Sequence, residues 1–191
     1  MNFTSFVPFK NWLMEKEKTQ SKKLDYGCVM LYAKISDWDK HLKIIEKKDI
    51  YDDEFKDYGL EHTPHCTLLF GLHLDEVKPD EVKEFMKTFK PIEVTINEIS
   101  TFKNDEYDVV KYDVPVTEEL QMYHDLLERR FPNTQTFPDY HPHMTICYVL
   151  PGKGKSYTKK VKPFKVIFDS VVYSYKGKGD DKEKIKVKLE E

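Results

Sequence analysis

Apolar residues along the chain fall into short, bounded runs whose spacing alternates between strand and helix periods. Cys28-Val29-Met30-Leu31-Tyr32-Ala33-Lys34-Ile35 reads as a buried strand. Ser36-Asp37 then caps a helix running to about Lys48, with Trp38, Leu42 and Ile45 at helical spacing. A second strand starts at His65, and Lys78-Pro79-Asp80 opens a helix whose Val82, Phe85, Met86 and Phe89 form an apolar stripe, with Pro79 suited to the first turn. The second half repeats this order. Strands are predicted at 92–102 and 109–114, a helix capped by Thr117 runs to Arg130, and a strand follows from His143. Strands at 164–175 and 184–189, joined by a Gly177-Lys178-Gly179-Asp180 turn, complete the chain. Upstream, Pro8 to Lys23 reads as an amphipathic helix carrying Trp12 and Leu13. Residues 1–25 are therefore expected to be an accessory extension and residues 26–191 a single α+β domain.

Composition narrows the possible partners. The chain has 191 residues with 39% hydrophobic and 14% aromatic content, enough for a sizeable core. A net charge of −3 gives no global attraction for nucleic acid, so long duplex nucleic acid is an unexpected substrate and any polyanion must meet a local basic patch. Cys28, Cys66 and Cys147 are odd in number, lie in apolar runs and lack C-x-x-C spacing, which fits free thiols in a reducing cytoplasm. No apolar run reaches 18 residues, and Lys10, Glu15, Lys16 and Glu17 interrupt the start, so a soluble, cytoplasmic protein without a membrane partner is expected. Ala33 is the only alanine, a bias that suits an AT-rich genome such as that of a bacteriophage.

Within that frame one pattern occurs twice. Thr63-Pro64-His65-Cys66-Thr67-Leu68-Leu69-Phe70 and His141-Pro142-His143-Met144-Thr145-Ile146-Cys147-Tyr148 match in order and character. Strand alternation places His65, Thr67 and Leu69 on one face, and His143, Thr145 and Cys147 on one face of the other strand. It turns Leu68, Phe70, Ile146 and Tyr148 into packing. Each motif thus offers an imidazole, which titrates near neutrality, and a hydroxyl. Two imidazoles across a phosphodiester can deprotonate the nucleophile and protonate the departing oxygen without a metal, while two hydroxyls hold the non-bridging oxygens. The sequence leaves open which histidine is acid and which is base.

The paired H-x-T motifs, with apolar residues around them, resemble those of the 2H phosphoesterase superfamily, over roughly Tyr26 to the C-terminus. That family includes bacterial 2′-5′ RNA ligase-like proteins, cyclic phosphodiesterases, and phage enzymes that destroy cyclic-nucleotide defence signals. The resemblance implies a bilobal fold, in which two β-α-β-type lobes with antiparallel sheets face a central cleft. It implies His65, Thr67, His143 and Thr145 as catalytic residues, no cofactor, and a small nucleotide or short oligonucleotide as substrate. It also implies an aromatic near the cleft, for which Tyr32 either stacks on a base or packs in the core. Phe137, Tyr140 and Tyr148 either line the pocket or fill the core. The loop 151–162 carries Lys153 and Lys155 towards the cleft mouth, either as a phosphate-gathering lid or as a solvated loop whose charge serves solubility. Gly154-Lys155-Ser156 lacks the earlier glycine and the strand-to-helix setting of a P-loop. A four-histidine metal site of His62, His65, His141 and His143 lacks a recognised ligand spacing, so none is expected. A nucleotide-capturing module without turnover, and RNA end-joining, stand as alternatives to hydrolysis.

Overall fold

The computed structural model describes residues 26–51, 58–135, 139–176 and 183–190. The expected Pro8 to Lys23 helix, Phe137 and the turn at Gly177 to Asp180 lie outside them. The described chain runs β1 (Tyr26–Ala33), α1 (Trp38–Leu42), a 3-10 turn (Lys47–Asp49), β2 (His65–His73), α2 (Pro79–Met86), β3 (Ile92–Lys103) and β4 (Asp108–Asp113). It continues through α3 (Glu118–Arg130), β5 (His143–Val149), a second 3-10 turn (Gly154–Tyr157), β6 (Lys159–Lys176) and β7 (Glu183–Lys188).

All strand pairings are antiparallel, in the order β2-β1-β6-β3-β4-β5, with β7 also on β6. The 18-residue β6 belongs to both lobes. Its first half pairs with β3 and its second half lies between β1 and β7, while Phe168 faces Ala33 on one edge and Ile92 on the other. The two terminal strands of this path, β2 and β5, come back into contact, so the two lobes face a central cleft with one histidine strand each. This is the expected bilobal α+β fold, with its two sheets continuous through β6.

The helices cross between lobes. α3, which precedes β5 in sequence, packs on β2, where His124 Nδ1 donates to Leu68 O at 2.7 Å. α1, which precedes β2, packs on β5, and its Trp38 ring lies 6.1 Å from that of Tyr112. α2 packs on β6 and β7, and the stacked rings of Phe89 and Tyr123, 4.1 Å apart, join it to α3. Thr117 caps α3 through the Leu120 amide, and Pro79 occupies the first turn of α2, both as expected.

Three expectations are corrected. The helix from Ser36 to Lys48 stops at Leu42, although Trp38, Leu42 and Ile45 are all buried. The backbone beyond it finds tertiary partners instead: Tyr157 Oη accepts from Glu46 N at 3.2 Å and donates to buried Asp49 at 2.7 Å. The lysine-rich loop is pinned rather than a lid. Gly154 N donates to Asp108 Oδ2 at 2.9 Å, and Thr101 Oγ1 donates to Gly154 O at 3.0 Å. A Cβ on Gly154 would lie 2.2 Å from Thr101 Cγ2. β6 then starts at Lys159 because the long β3 offers it a ladder partner, Ile99.

The third correction is strand alternation after each motif. Met30 faces Thr67 but Val29 faces Leu69, so Leu68 is an extra residue, and Lys111 faces Thr145 but Val110 faces Cys147, so Ile146 is another. These matching bulges tuck Leu68, Leu69, Ile146 and Cys147 into the core and turn Phe70 and Tyr148 onto the histidine face. A second slip at Gly71, with φ of 104°, follows Phe70. A Cβ there would meet Thr134 O at 2.3 Å, and that backbone is tied to the strand by Thr134 N donating to Gly71 O at 3.0 Å. Gly71→Ala is therefore expected to lose about 2–4 kcal/mol and to lower the thermal midpoint by roughly 5–15 °C, as followed by circular dichroism. An unchanged midpoint would show that this part of β2 relaxes freely.

Candidate active site

Both histidines are held by the same local device. Ala33 N donates to Pro64 O and Val114 N to Pro142 O, each at 3.2 Å, tying the entrance of each motif strand to the end of its neighbour. His65 Nδ1 then hydrogen-bonds Thr63 O at 2.9 Å, and His143 Nδ1 bonds His141 O at 2.8 Å. A carbonyl can only accept, so each Nδ1 carries the hydrogen and each neutral ring keeps its lone pair on Nε2. Thr67 and Thr145 share the histidine face two residues on, Thr67 half-buried and Thr145 buried.

Across the strand from each motif the surroundings differ. Tyr32 faces His65 and Met30 faces Thr67, and the Tyr32 ring stacks on the His65 imidazole at 5.6 Å. At the corresponding positions Asp113 faces His143 and Lys111 faces Thr145. Lys111 is only 5% exposed. Its Nζ donates to Asp113 Oδ1 and, at 2.7 Å, to Ser100 Oγ, and lies 4.1 Å from the centre of the Phe102 ring. Phe102 meets the His143 ring edge-on at 4.9 Å. Burial, first of all, holds the His143 pKa below its ordinary value of 6.5, aided by the positive charges of Lys111 and His65 and opposed by the His141 carbonyl and Asp113. The two motif histidines therefore sit within electrostatic range of each other. Lys111, Asp113, Ser100 and Phe102 escape sequence reading because Val109-Val110-Lys111-Tyr112-Asp113 has the alternation of a strand with a solvated face. Their signal is position, opposite a motif strand.

The remaining sequence candidates divide. Tyr140 supports the first motif strand, donating to Thr67 O at 3.3 Å and stacking on His124 at 4.2 Å, with burial raising its pKa. Lys153 lies 3.7 Å from Asp49, and exposed Lys155 belongs to the pinned 3-10 turn beyond the end of β5 furthest from His143. Neither lysine joins the histidine pair. His41 and His73 have structural partners: His41 Nδ1 bonds Tyr112 Oη at 2.7 Å and His73 Nε2 bonds Thr134 Oγ1 at 2.8 Å. Cys66 is buried beside His143 and Tyr140, and burial pushes its thiol up to about 12. Among the described residues, His124, Asp125 and Glu128 bring three ligand atoms within 4.8 Å of one another. Hydrogen bonds from His124 to Leu68 O, and to Asp125 from Gln121 and Arg129, account for that grouping. No helix among the described residues is long and apolar enough to cross a membrane.

Two facing antiparallel lobes, each presenting a histidine and a threonine to the cleft between them, define a 2H phosphoesterase. The chain belongs to the 2′-5′ RNA ligase superfamily, whose family model matches residues 37–173. Three solved structures share the fold. Escherichia coli LigT complexed with NADP+ aligns with a TM-score of 0.54 and 11% identity, over 87% of this chain and 99% of its own. A phosphoesterase crystal structure aligns with 0.53 and 12% identity over 88% and 100%. Kluyveromyces marxianus Usb1 aligns with 0.52 and 10% identity over 87% and 99%. No curated protein sequence matches the chain.

The charged pair beside His143 makes a testable difference. The depressed folded-state pKa means that His143 resists protonation in the native protein, so its effect appears as stability lost when pH falls below 6.5 through that pKa. By NMR titration His143 is expected to have a midpoint below 6.5, and Lys111→Met to move that midpoint upward by removing a neighbouring positive charge. A midpoint unmoved by the substitution would sever Lys111 from His143.

Proposed function

We propose that the protein is a metal-independent phosphodiesterase that cleaves a small RNA-type phosphodiester by acid-base catalysis with His65 and His143. The observation that carries this reading is the identical anchoring of the two imidazoles through Nδ1, which leaves both Nε2 atoms available for proton transfer. His143, held neutral by its buried setting, takes the proton from the nucleophile, either water or the neighbouring ribose hydroxyl. His65, across the phosphate, gives a proton to the departing oxygen. The Thr67 and Thr145 hydroxyls donate to the non-bridging oxygens as charge develops there. Lys111 adds a fixed positive charge behind Thr145. LigT, a protein of the same fold, is complexed with NADP+, which supports a nucleotide in this cleft. A 2′,3′-cyclic phosphate, a 2′-5′ or 3′-5′ oligonucleotide, or a cyclic nucleotide signal all present the required group.

With chelator present throughout, His65→Ala and His143→Ala are each expected to lower kcat/KM by about 10²–10⁴-fold, and Thr67→Val and Thr145→Val by about 10–10³-fold. Products are read by chromatography on a panel of these three substrate classes. Activity should fall as pH drops through a value below 6.5, where His143 becomes protonated. Turnover abolished by chelator, or retained in either histidine variant, would refute the mechanism. Saturable binding without turnover on every substrate would point to capture instead.

A further inference from the structure

The paired bulges set a feature of the cleft that strand alternation hides. Because Leu68 and Ile146 are extra residues, the next side chains on the histidine face are Phe70, opposite Cys28, and Tyr148, opposite Val109. The two lobes thus carry the same order of groups, His65, Thr67, Phe70 and His143, Thr145, Tyr148. The partners of each threonine and aromatic lie two residues apart on the neighbouring strand, which sets the two side chains about 7 Å from each other. Phe70 is 46% exposed, an unusual position for a large ring in a strand whose neighbours Leu69 and Leu72 are fully buried. The Tyr26 ring flanks it at 5.9 Å. Tyr148 is half-buried at the edge of a tyrosine cluster, 4.9 Å from Tyr58 and 5.3 Å from Tyr107.

We propose that these are two base-stacking platforms, one on each side of the scissile phosphate, and that the substrate is an oligonucleotide with a nucleoside on both sides rather than a cyclic mononucleotide. This rests on the phosphodiester reading above and narrows it. A phosphate held between Thr67 and Thr145 has Phe70 beyond one threonine and Tyr148 beyond the other, so a single nucleoside cannot occupy both. Aromatic faces accept any base, which gives affinity for chain length with little sequence preference. Charge on the same face agrees. Through the ladder β2-β1-β6-β7, the rows of His65, Thr67 and Phe70 end in exposed Lys188, Lys186 and Lys184; Lys188 is ion-paired with Asp169, and Lys186 and Lys184 supply the charge to meet the phosphates of a chain longer than one unit.

The test is equilibrium binding to full-length His65→Ala protein, by fluorescence anisotropy with end-labelled 2′-5′ and 3′-5′ adenosine trinucleotides and by competition with unlabelled 2′,3′-cyclic AMP. Trinucleotide is expected to bind at least ten-fold more tightly than the cyclic mononucleotide. Adding Phe70→Ala or Tyr148→Leu should each weaken trinucleotide binding by about ten-fold, whereas the cyclic mononucleotide, which has one base and occupies at most one platform, should be weakened by no more than one of the two. Phe70→Leu, which keeps apolar bulk and loses the ring, should behave like Phe70→Ala, and Met122→Ala on exposed α3 surface should change nothing. Equal affinity for the two ligand lengths, aromatic variants without effect, or no binding of either ligand would each overturn the proposal. Wild-type turnover of the same ligands separates the two readings. Length-dependent binding without turnover removes the phosphodiesterase and keeps the platforms; turnover with length-independent binding does the reverse.

Discussion

The architecture depends on β6 being hydrogen-bonded along both edges. Phe168 is the pivot, facing Ala33 of β1 and Ile92 of β3 at once, and each lobe is built outward from one half of this strand. A strand shared in this way fixes the two sheets relative to each other through backbone hydrogen bonds, whose loss inside the protein is costly. β2 and β5, the terminal strands of the path, are brought together by that constraint. The outer edges of these two strands are bridged in turn: Ile50 and Leu60 bridge to β5, and Asn133 bridges to β2. The face that carries the two histidines is therefore set by the sheet's own connectivity, with α1 and α3 crossing to pack on the opposite lobes.

Upon that frame the two halves are alike in backbone and unlike in side chain. Proline carbonyls, imidazole anchors and bulges repeat at corresponding positions. Yet His65 has a stacked tyrosine and a methionine beside its motif, whereas His143 has an aspartate and a buried lysine. Duplicated backbone geometry brings two imidazoles to one place, and at His143 burial together with the neighbouring Lys111 lowers the proton affinity.

Much of this was legible in the sequence because it is local. The H-x-T repeats, the apolar strand runs, the Thr117 cap and Pro79 in a first turn depend on residues close together in the chain, where periodicity and capping chemistry act. Paired motifs at matching places in two similar halves pointed to the family, and its model spans residues 37–173. What failed did so for non-local reasons. The first helix ends early because Tyr157, 111 residues from Glu46, takes its backbone amide. The lysine loop is fixed by Asp108 and Thr101 from other strands.

By itself the sequence determined which imidazoles and hydroxyls share a strand face, because residues two positions apart in an extended strand point the same way wherever that strand is placed. Only the tertiary structure decided what surrounds them. Lys111 becomes a buried charge beside Thr145 through a cross-strand register, and Phe70 leaves the core for the cleft through a one-residue bulge. Register and bulge position follow from pairing between distant segments, where a shift of one residue reverses the face of every side chain that follows.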